Sequence, residues 1–233
     1  MNMIIDGLIH AVKLLVQGDK DILNIIFLTL QVSGIATLIS VVVGIPLGTL
    51  MALKDFRGKN ILSSLVNFGM GLPPVVAGLL VTLILWRYGP LGNMNLMYTI
   101  PAMIIAQSLV AMPIITGLSF AAILNVNPKL KFQLLSLGAE PFQVCLILIK
   151  EAKLGLMAAV IAGFGRVISE VGASMMVGGN VRGKTRILTT AIVLEVDKGN
   201  YDIAIAIAII LLLITYIVVI ILTFLQHNER SNL

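Results

Sequence analysis

Charge is what this chain has least of. Asp, Glu, Lys and Arg make up 12% of its 233 residues, about half the share of an ordinary soluble domain, which leaves almost no room for a soluble domain. A single cysteine, Cys145, excludes an internal disulfide. The two histidines, His10 and His227, are far apart and belong to no Cys/His cluster, so no metal site is expected. No cofactor is expected either. The net charge of +5 is modest and scattered. It fits basic loops facing lipid headgroups rather than the basic patch on a folded surface that nucleic-acid binding requires.

In place of charge there are long runs of Leu, Ile, Val and Met. The chain is 58% hydrophobic with a mean hydropathy of +1.05, which marks an integral membrane protein. The expected fold is all-α and polytopic, one transmembrane domain over residues 1–233. Five apolar segments, at 22–53, 61–86, 97–124, 152–178 and 203–225, each reach the length of roughly 20 residues needed to cross a bilayer. The first is over-long and is expected to project beyond the bilayer after Pro46. Pro73-Pro74 in the second and Pro113 in the third predict kinks. No internal repeat is evident, which counts against an inverted-repeat secondary transporter.

The first twenty residues lack the basic leader and small-residue cleavage site of a secretory signal peptide. Asp6, His10, Lys13 and Gln17 share one helical face, so residues 1–20 predict an amphipathic peripheral helix too short to span. An odd number of spans puts the two ends of the chain on opposite sides. The basic residues divide almost evenly between those sides, so charge alone does not orient the chain. The dense loop at 54–60 favours its own side as cytoplasmic.

Residues 125–153 form the longest connection on that side. Asn127-Pro128 reads as a helix N-cap followed by a first-turn proline, and Lys129–Leu137 supplies two helical turns. Gly138 fits the position just past a helix end, and Glu140-Pro141 opens a second helix. The pattern is a short helix, a glycine corner and another helix. Residue chemistry alone leaves open whether this is a working element or an ordinary amphipathic loop.

Leu137-Gly138-Ala139-x-Pro141, at this distance before a small-residue span, resembles the cytoplasmic loop of ABC-importer permeases that docks into the ATPase. Phe132-Gln133-Leu134 stands where that family usually has Glu-Ala-Ala. The resemblance assigns ATPase coupling to Gly138, Ala139, Glu140 and Pro141. Downstream, Gly163-Phe164-Gly165-Arg166, Ser169-Glu170-Val171-Gly172-Ala173, Val177-Gly178-Gly179-Asn180 and Thr185-Arg186-x-Leu188-Thr189-Thr190-Ala191-Ile192 resemble the tungstate-importer permeases, relatives of the molybdate and sulfate permeases. This resemblance covers nearly the whole chain. It implies a bacterial inner-membrane (plasma-membrane) permease without catalytic activity, working as a homodimer with two ATP-binding subunits and an extracytoplasmic oxyanion-binding protein. The cargo it implies is a tetrahedral oxyanion, tungstate first, with molybdate or sulfate as alternatives, moved by alternating access. A secondary transporter is a remoter alternative, for which Glu170 would be the coupling carboxylate.

Arg166 and Glu170 sit inside the fourth apolar segment, at about 18 and about 24 Å from Leu154 at 1.5 Å per residue. An arginine facing lipid there costs at least about 2.5–3.5 kcal/mol. Four residues apart, the two can pair, or they can line a pathway together with Ser169, Gly172 and Ser174. The same segment carries Gly155, Ala158, Ala159, Ala162, Gly163 and Gly165, small residues that let helices approach closely, either to slide or simply to pack.

Residues 178–185, Gly-Gly-Asn-Val-Arg-Gly-Lys-Thr, match the phosphate-cradling pattern G-x-x-x-x-G-K-[ST]. As a nucleotide site the motif would need Ser174–Val177 as a strand, Ile187–Val196 as a helix, Lys184 on phosphate and a parallel sheet beyond. Only 48 residues follow Thr185, and half are the last apolar segment, so no such sheet can be built. What remains is a flexible glycine turn made cationic by Arg182, Lys184 and Arg186, placed outside the cell by the resemblance. It can concentrate a dianion at the pathway mouth, touch the binding protein, or face headgroups.

Overall fold

The computed structural model describes Ala11 and residues 18–231. The amphipathic helix expected over residues 1–20 therefore lies almost wholly outside the described residues. The described part is helical throughout, with no strand.

The first long helix, α1 (Lys20–Leu53), starts on Asp19, whose carboxylate accepts the N–H groups of Asp21 (2.9 Å) and Ile22 (3.1 Å). It runs unbroken through Pro46 for 34 residues, about 51 Å of helix against a hydrocarbon core of about 30 Å, as its over-long segment implies. One face steps through Thr29, Val32, Ser33, Ala36, Ser40, Gly44 and Gly48. That face packs along α4 (Ile100–Leu124) in the most extensive helix pair of the molecule. The fit is close: a Cβ on Gly48 would lie 2.5 Å from the Thr116 carbonyl oxygen. Three hydroxyls along the helix return to carbonyls one turn back, Thr29 to Ile25 (2.6 Å), Thr37 to Ser33 (2.7 Å) and Ser40 to Ala36 (2.8 Å), which satisfies them without water.

The second and fourth apolar segments are not single spans. Residues 61–86 divide into α2 (Lys59–Met70) and α3 (Pro74–Leu85), bent by 105°. Pro73 and Pro74 both lack an N–H, and each disfavours helical geometry in the residue before it, so the pair ends one helix and starts another rather than kinking one. Residues 152–178 divide into α7 (Lys153–Ile168) and α8 (Gly172–Gly178), bent by 55° with no proline involved. The two second halves pack together. A Cβ on Gly78 would lie 2.7 Å from Ala173 Cα, and one on Gly172 would lie 2.5 Å from Val75 Cγ2. The two breaks therefore lie side by side.

Between α4 and α7 lie α5 (Pro128–Ser136) and α6 (Pro141–Glu151). After α8 comes a turn, then α9 (Leu188–Asp197) and the last long helix, α10 (Tyr201–Ser231). Among the described residues three helices, α1, α4 and α10, are long and apolar enough to cross a membrane, and each bent pair counted as one crossing brings the number to five. The segment proposed as a strand for nucleotide binding, Ser174–Val177, is helical.

Candidate functional site

The chain presents functional chemistry at three levels: one end of the bundle, its interior and the opposite end.

At the first end, the corner between α5 and α6 forms as its residues dictate. Asn127 Oδ1 accepts the Lys129 N–H (3.0 Å) and starts α5. At the other end of α5 the Gly138 N–H donates to the Leu135 carbonyl and the Ala139 N–H to the Leu134 carbonyl, both at 3.0 Å, with Gly138 at φ +81. This is a Schellman ending, which only a residue at ease in the left-handed region makes cheaply. Glu140 then precedes Pro141, and its N–H is held by Gln143 Oε1 at 2.9 Å. The corner is apolar and uncovered: Leu137 is 84% exposed, Phe142 70% and Phe132 67%. It is tied back to the membrane helices by Lys131 Nζ, which donates to the Leu53 carbonyl at the end of α1 (3.2 Å). Beside it Asp55 pairs with Lys59 at 2.9 Å. That hydrogen bond, more than the nearby Lys131, holds the Asp55 carboxyl below its ordinary range.

In the interior, Arg166 and Glu170 do not form the pair that their spacing permits. The helix ends between them. Glu170, 4% exposed, turns its carboxylate to the Ala173 N–H at the start of α8 (2.9 Å), and its carbonyl accepts the Thr189 hydroxyl (2.9 Å). Ser169 returns its hydroxyl to the Gly165 (2.9 Å) and Arg166 (3.1 Å) carbonyls freed by the break. Side-chain oxygens thus replace the missing helix bonds, which explains a bend without proline. Arg166 is half-buried, and its guanidinium has no hydrogen-bond or ion-pair partner among the described residues. Ser174 is fully buried and accepts Gln107 Nε2 from α4 at 2.9 Å. Gly172 is the contact with Val75 already described. Gln107 was missed in the sequence, although a lone amide in the apolar run 97–124 was a signal.

At the opposite end, residues 178–186 form a closed turn rather than a flexible one. The Thr185 hydroxyl donates to the Gly178 carbonyl (2.6 Å) and accepts the Val181 N–H (3.0 Å). The N–H groups of Lys184, Thr185 and Arg186 all donate to the single carbonyl of Val181, at 2.9–3.1 Å. A phosphate loop needs those N–H groups and that hydroxyl for the ligand, and here the turn consumes them itself. The three cations are also unequal. Arg182 pairs with Asp21 at the start of α1, a contact that holds its guanidinium above its ordinary pKa. Arg186 Nε donates to Asn180 Oδ1 (3.1 Å), and Asn180 Nδ2 reaches the Thr190 carbonyl (3.1 Å). Lys184 is exposed and makes no such contact among the described residues.

Residues 44–231 match the family described as the binding-protein-dependent transport system inner membrane component. The chain is 41% identical over 226 residues to a tungstate uptake system permease protein of Peptoclostridium acidaminophilum, covering 97% of this chain and 99% of that one. It is 38% identical to a probable anion ABC transporter permease protein of Haloferax volcanii, covering 82% of this chain and 85% of that one. In fold it is similar to a chain of a bacterial ABC transporter that imports the acidic polysaccharide alginate, with a TM-score of 0.75 at 19% identity, covering 94% of this chain and 82% of that chain. It is also similar to a chain of the inward-facing MetNI methionine ABC transporter, with a TM-score of 0.68 at 20% identity, covering 90% of this chain and 95% of that chain.

Proposed function

The chain belongs to the family of inner-membrane components of binding-protein-dependent transport systems, and from that premise we propose that it is the permease of an ATP-driven importer whose cargo is tungstate. It is a transport subunit, not an enzyme, and ATP hydrolysis resides on separate subunits. The observation that carries the coupling assignment is the corner at Gly138. Two short helices end in an uncovered apolar knuckle of Phe132, Leu137 and Phe142, and such a surface calls for a protein partner. The cleft of an ATPase subunit is the partner that this family supplies. Closure of the ATPases would push the corner, and Lys131 on the Leu53 carbonyl would pass the push to α1.

We also propose that two copies work together. Among the described residues nothing covers the outer face of α7: Ala158 and Ala162, with Ser169 just past its end, are exposed, and no described atom lies within 4 Å of where a Cβ would stand on Gly165. Small residues allow a second helix to approach closely, and unpaired Arg166 beside this stripe would face the shared pathway. Affinity for the ion would rest with an external binding protein, and a permease that releases its cargo has no need of a deep interior site.

The test is uptake by the reconstituted complex of permease, ATPase and binding protein. The expected result is ATP-dependent accumulation of tungstate that excess molybdate inhibits more than excess sulfate. Accumulation of no oxyanion would remove the cargo assignment. Uptake driven by an ion gradient without ATPase would remove the coupling assignment.

A further inference from the structure

Beneath the closed turn lies a cavity of about 250 Å³, bounded by the start of α1, the start of α4 and the turn itself, with Asp21, Asn24, Ile100, Arg182, Lys184 and Arg186 in its wall. We propose that this cavity is a binding site for the transported dianion on the permease itself, at the outer mouth of the pathway. The inference rests on the oxyanion reading above.

The charges around the cavity carry the argument. Asp21 is taken by Arg182. Glu195, whose charge feels Arg186, accepts Lys198 Nζ (2.7 Å) and Asn200 Nδ2 (2.8 Å), and Asp19, whose charge acts on Arg182, caps the start of α1. Lys184 and Arg186 therefore present two positive charges with no carboxylate within salt-bridge distance among the described residues, the complement of a doubly charged anion. Arg186 is pre-set for this. Asn180 takes its Nε and, at 3.4 Å, bonds one Nη2 N–H through the carbonyl, which orients the guanidinium and leaves further N–H groups free. Val181 has absorbed the N–H groups of residues 184–186, so most of the turn's backbone is already committed. The charge is thus supplied by side chains, with the Asn24 amide as an uncharged donor, and a side-chain site exchanges its ion readily, as a transit point must. The Arg182–Asp21 pair sits exposed at the rim, where solvent and salt weaken it. An arriving dianion competes with Asp21 for Arg182.

A phosphate headgroup offers the same chemistry as a free oxyanion, so the experiment separates the two. The permease–ATPase complex is placed in nanodiscs without binding protein, in zwitterionic lipid or with added phosphatidylglycerol, and sodium tungstate binding is measured by equilibrium dialysis with elemental detection. The expected result is saturable binding in zwitterionic discs, one ion per permease chain. Lys184→Gln should weaken it about tenfold, the loss of one charge-assisted contact, and Lys184→Arg should keep it. The Lys184 side chain makes no hydrogen bond or ion pair among the described residues, so this variant should leave the fold intact. Asp21→Asn, which releases Arg182, should tighten binding. No saturable binding in zwitterionic discs, or equal binding by Lys184→Gln, overturns the site. So does Lys184-dependent retention of phosphatidylglycerol that tungstate cannot displace, which would make it a headgroup contact. If ATP-driven tungstate uptake with the binding protein persists in either case, the site fails and the transport reading stands.

Discussion

The two ends of this molecule both turn the chain on glycine, and they do so with opposite materials. At the corner between α5 and α6 the backbone satisfies itself and the side chains are left bare and apolar, Leu137 and Phe142 above all. At the turn between α8 and α9 the backbone also satisfies itself, but the side chains left over are cations. Backbone closure is common to both, because neither end can leave orphan N–H groups beside a bilayer. What distinguishes them is the surface each closed turn exports. The first exports an uncovered apolar surface and the second a cationic one.

The largest expected effect breaks the first half of that contrast. Replacing both Leu137 and Phe142 by Asp should weaken ATPase association by about 2 kcal/mol or more, roughly thirtyfold, if these are central contacts. Co-purification and a titrated affinity measure it, and full retention of the ATPase would show that the knuckle is not the docking surface. Gly138→Val comes next. A β-branched residue at φ +81 pays well over the 1–2 kcal/mol or so of an ordinary left-handed residue, so the angle between α5 and α6 should give way. Uptake should fall at least about tenfold, while Gly138→Asn, which tolerates that region, should keep more of it.

Thr185→Val probes the other end. It strands the Val181 N–H and frees the Gly178 carbonyl, at a local cost of about 1–3 kcal/mol. Hydrogen exchange over residues 181–186 should quicken while ATPase affinity holds. A loss of ATPase affinity would mean that the two ends are not independent. The smallest effect is a pH dependence. The hydrogen bonds from Asn200 first and Lys198 second hold the Glu195 carboxyl below its ordinary value of 4.5. A depressed carboxyl stabilises its surroundings above the unfolded pKa, and that stabilisation is lost as pH falls through the folded value. The protection factors of amides 198–200, their exchange rates corrected for the intrinsic pH dependence, should therefore fall as pH drops below 4.5 through the depressed folded value, and Glu195→Gln should flatten the difference.

The corner was legible residue by residue because it is written in local chemistry. Asn127, Pro128, Gly138 and Pro141 each have one backbone position that suits them, and each occupies it. Five apolar segments were legible by length. The breaks were less so. Pro73-Pro74 announced a disturbance but not its size, and the break at Ser169–Val171 carries no proline. Its signal was a Ser-Glu pair ahead of Gly172, which reads as capping chemistry once a helix start is suspected there. The pairing of Arg182 with Asp21, 161 positions away, and the employment of Glu170 by α8 instead of Arg166 depend on how distant segments meet. Spacing along one helix does not encode that.

The meeting of α3 and α8 has a mechanical corollary. The backbones of these two half-helices touch where Gly78 lies on Ala173 and Gly172 on Val75, too close for either to pivot past the other. Their breaks lie side by side, so two potential joints share one axle. Packed this closely, the pair should move as a single leaf, and a side chain added at Gly78 or Gly172 should act as a wedge in that leaf rather than as a fault in either helix.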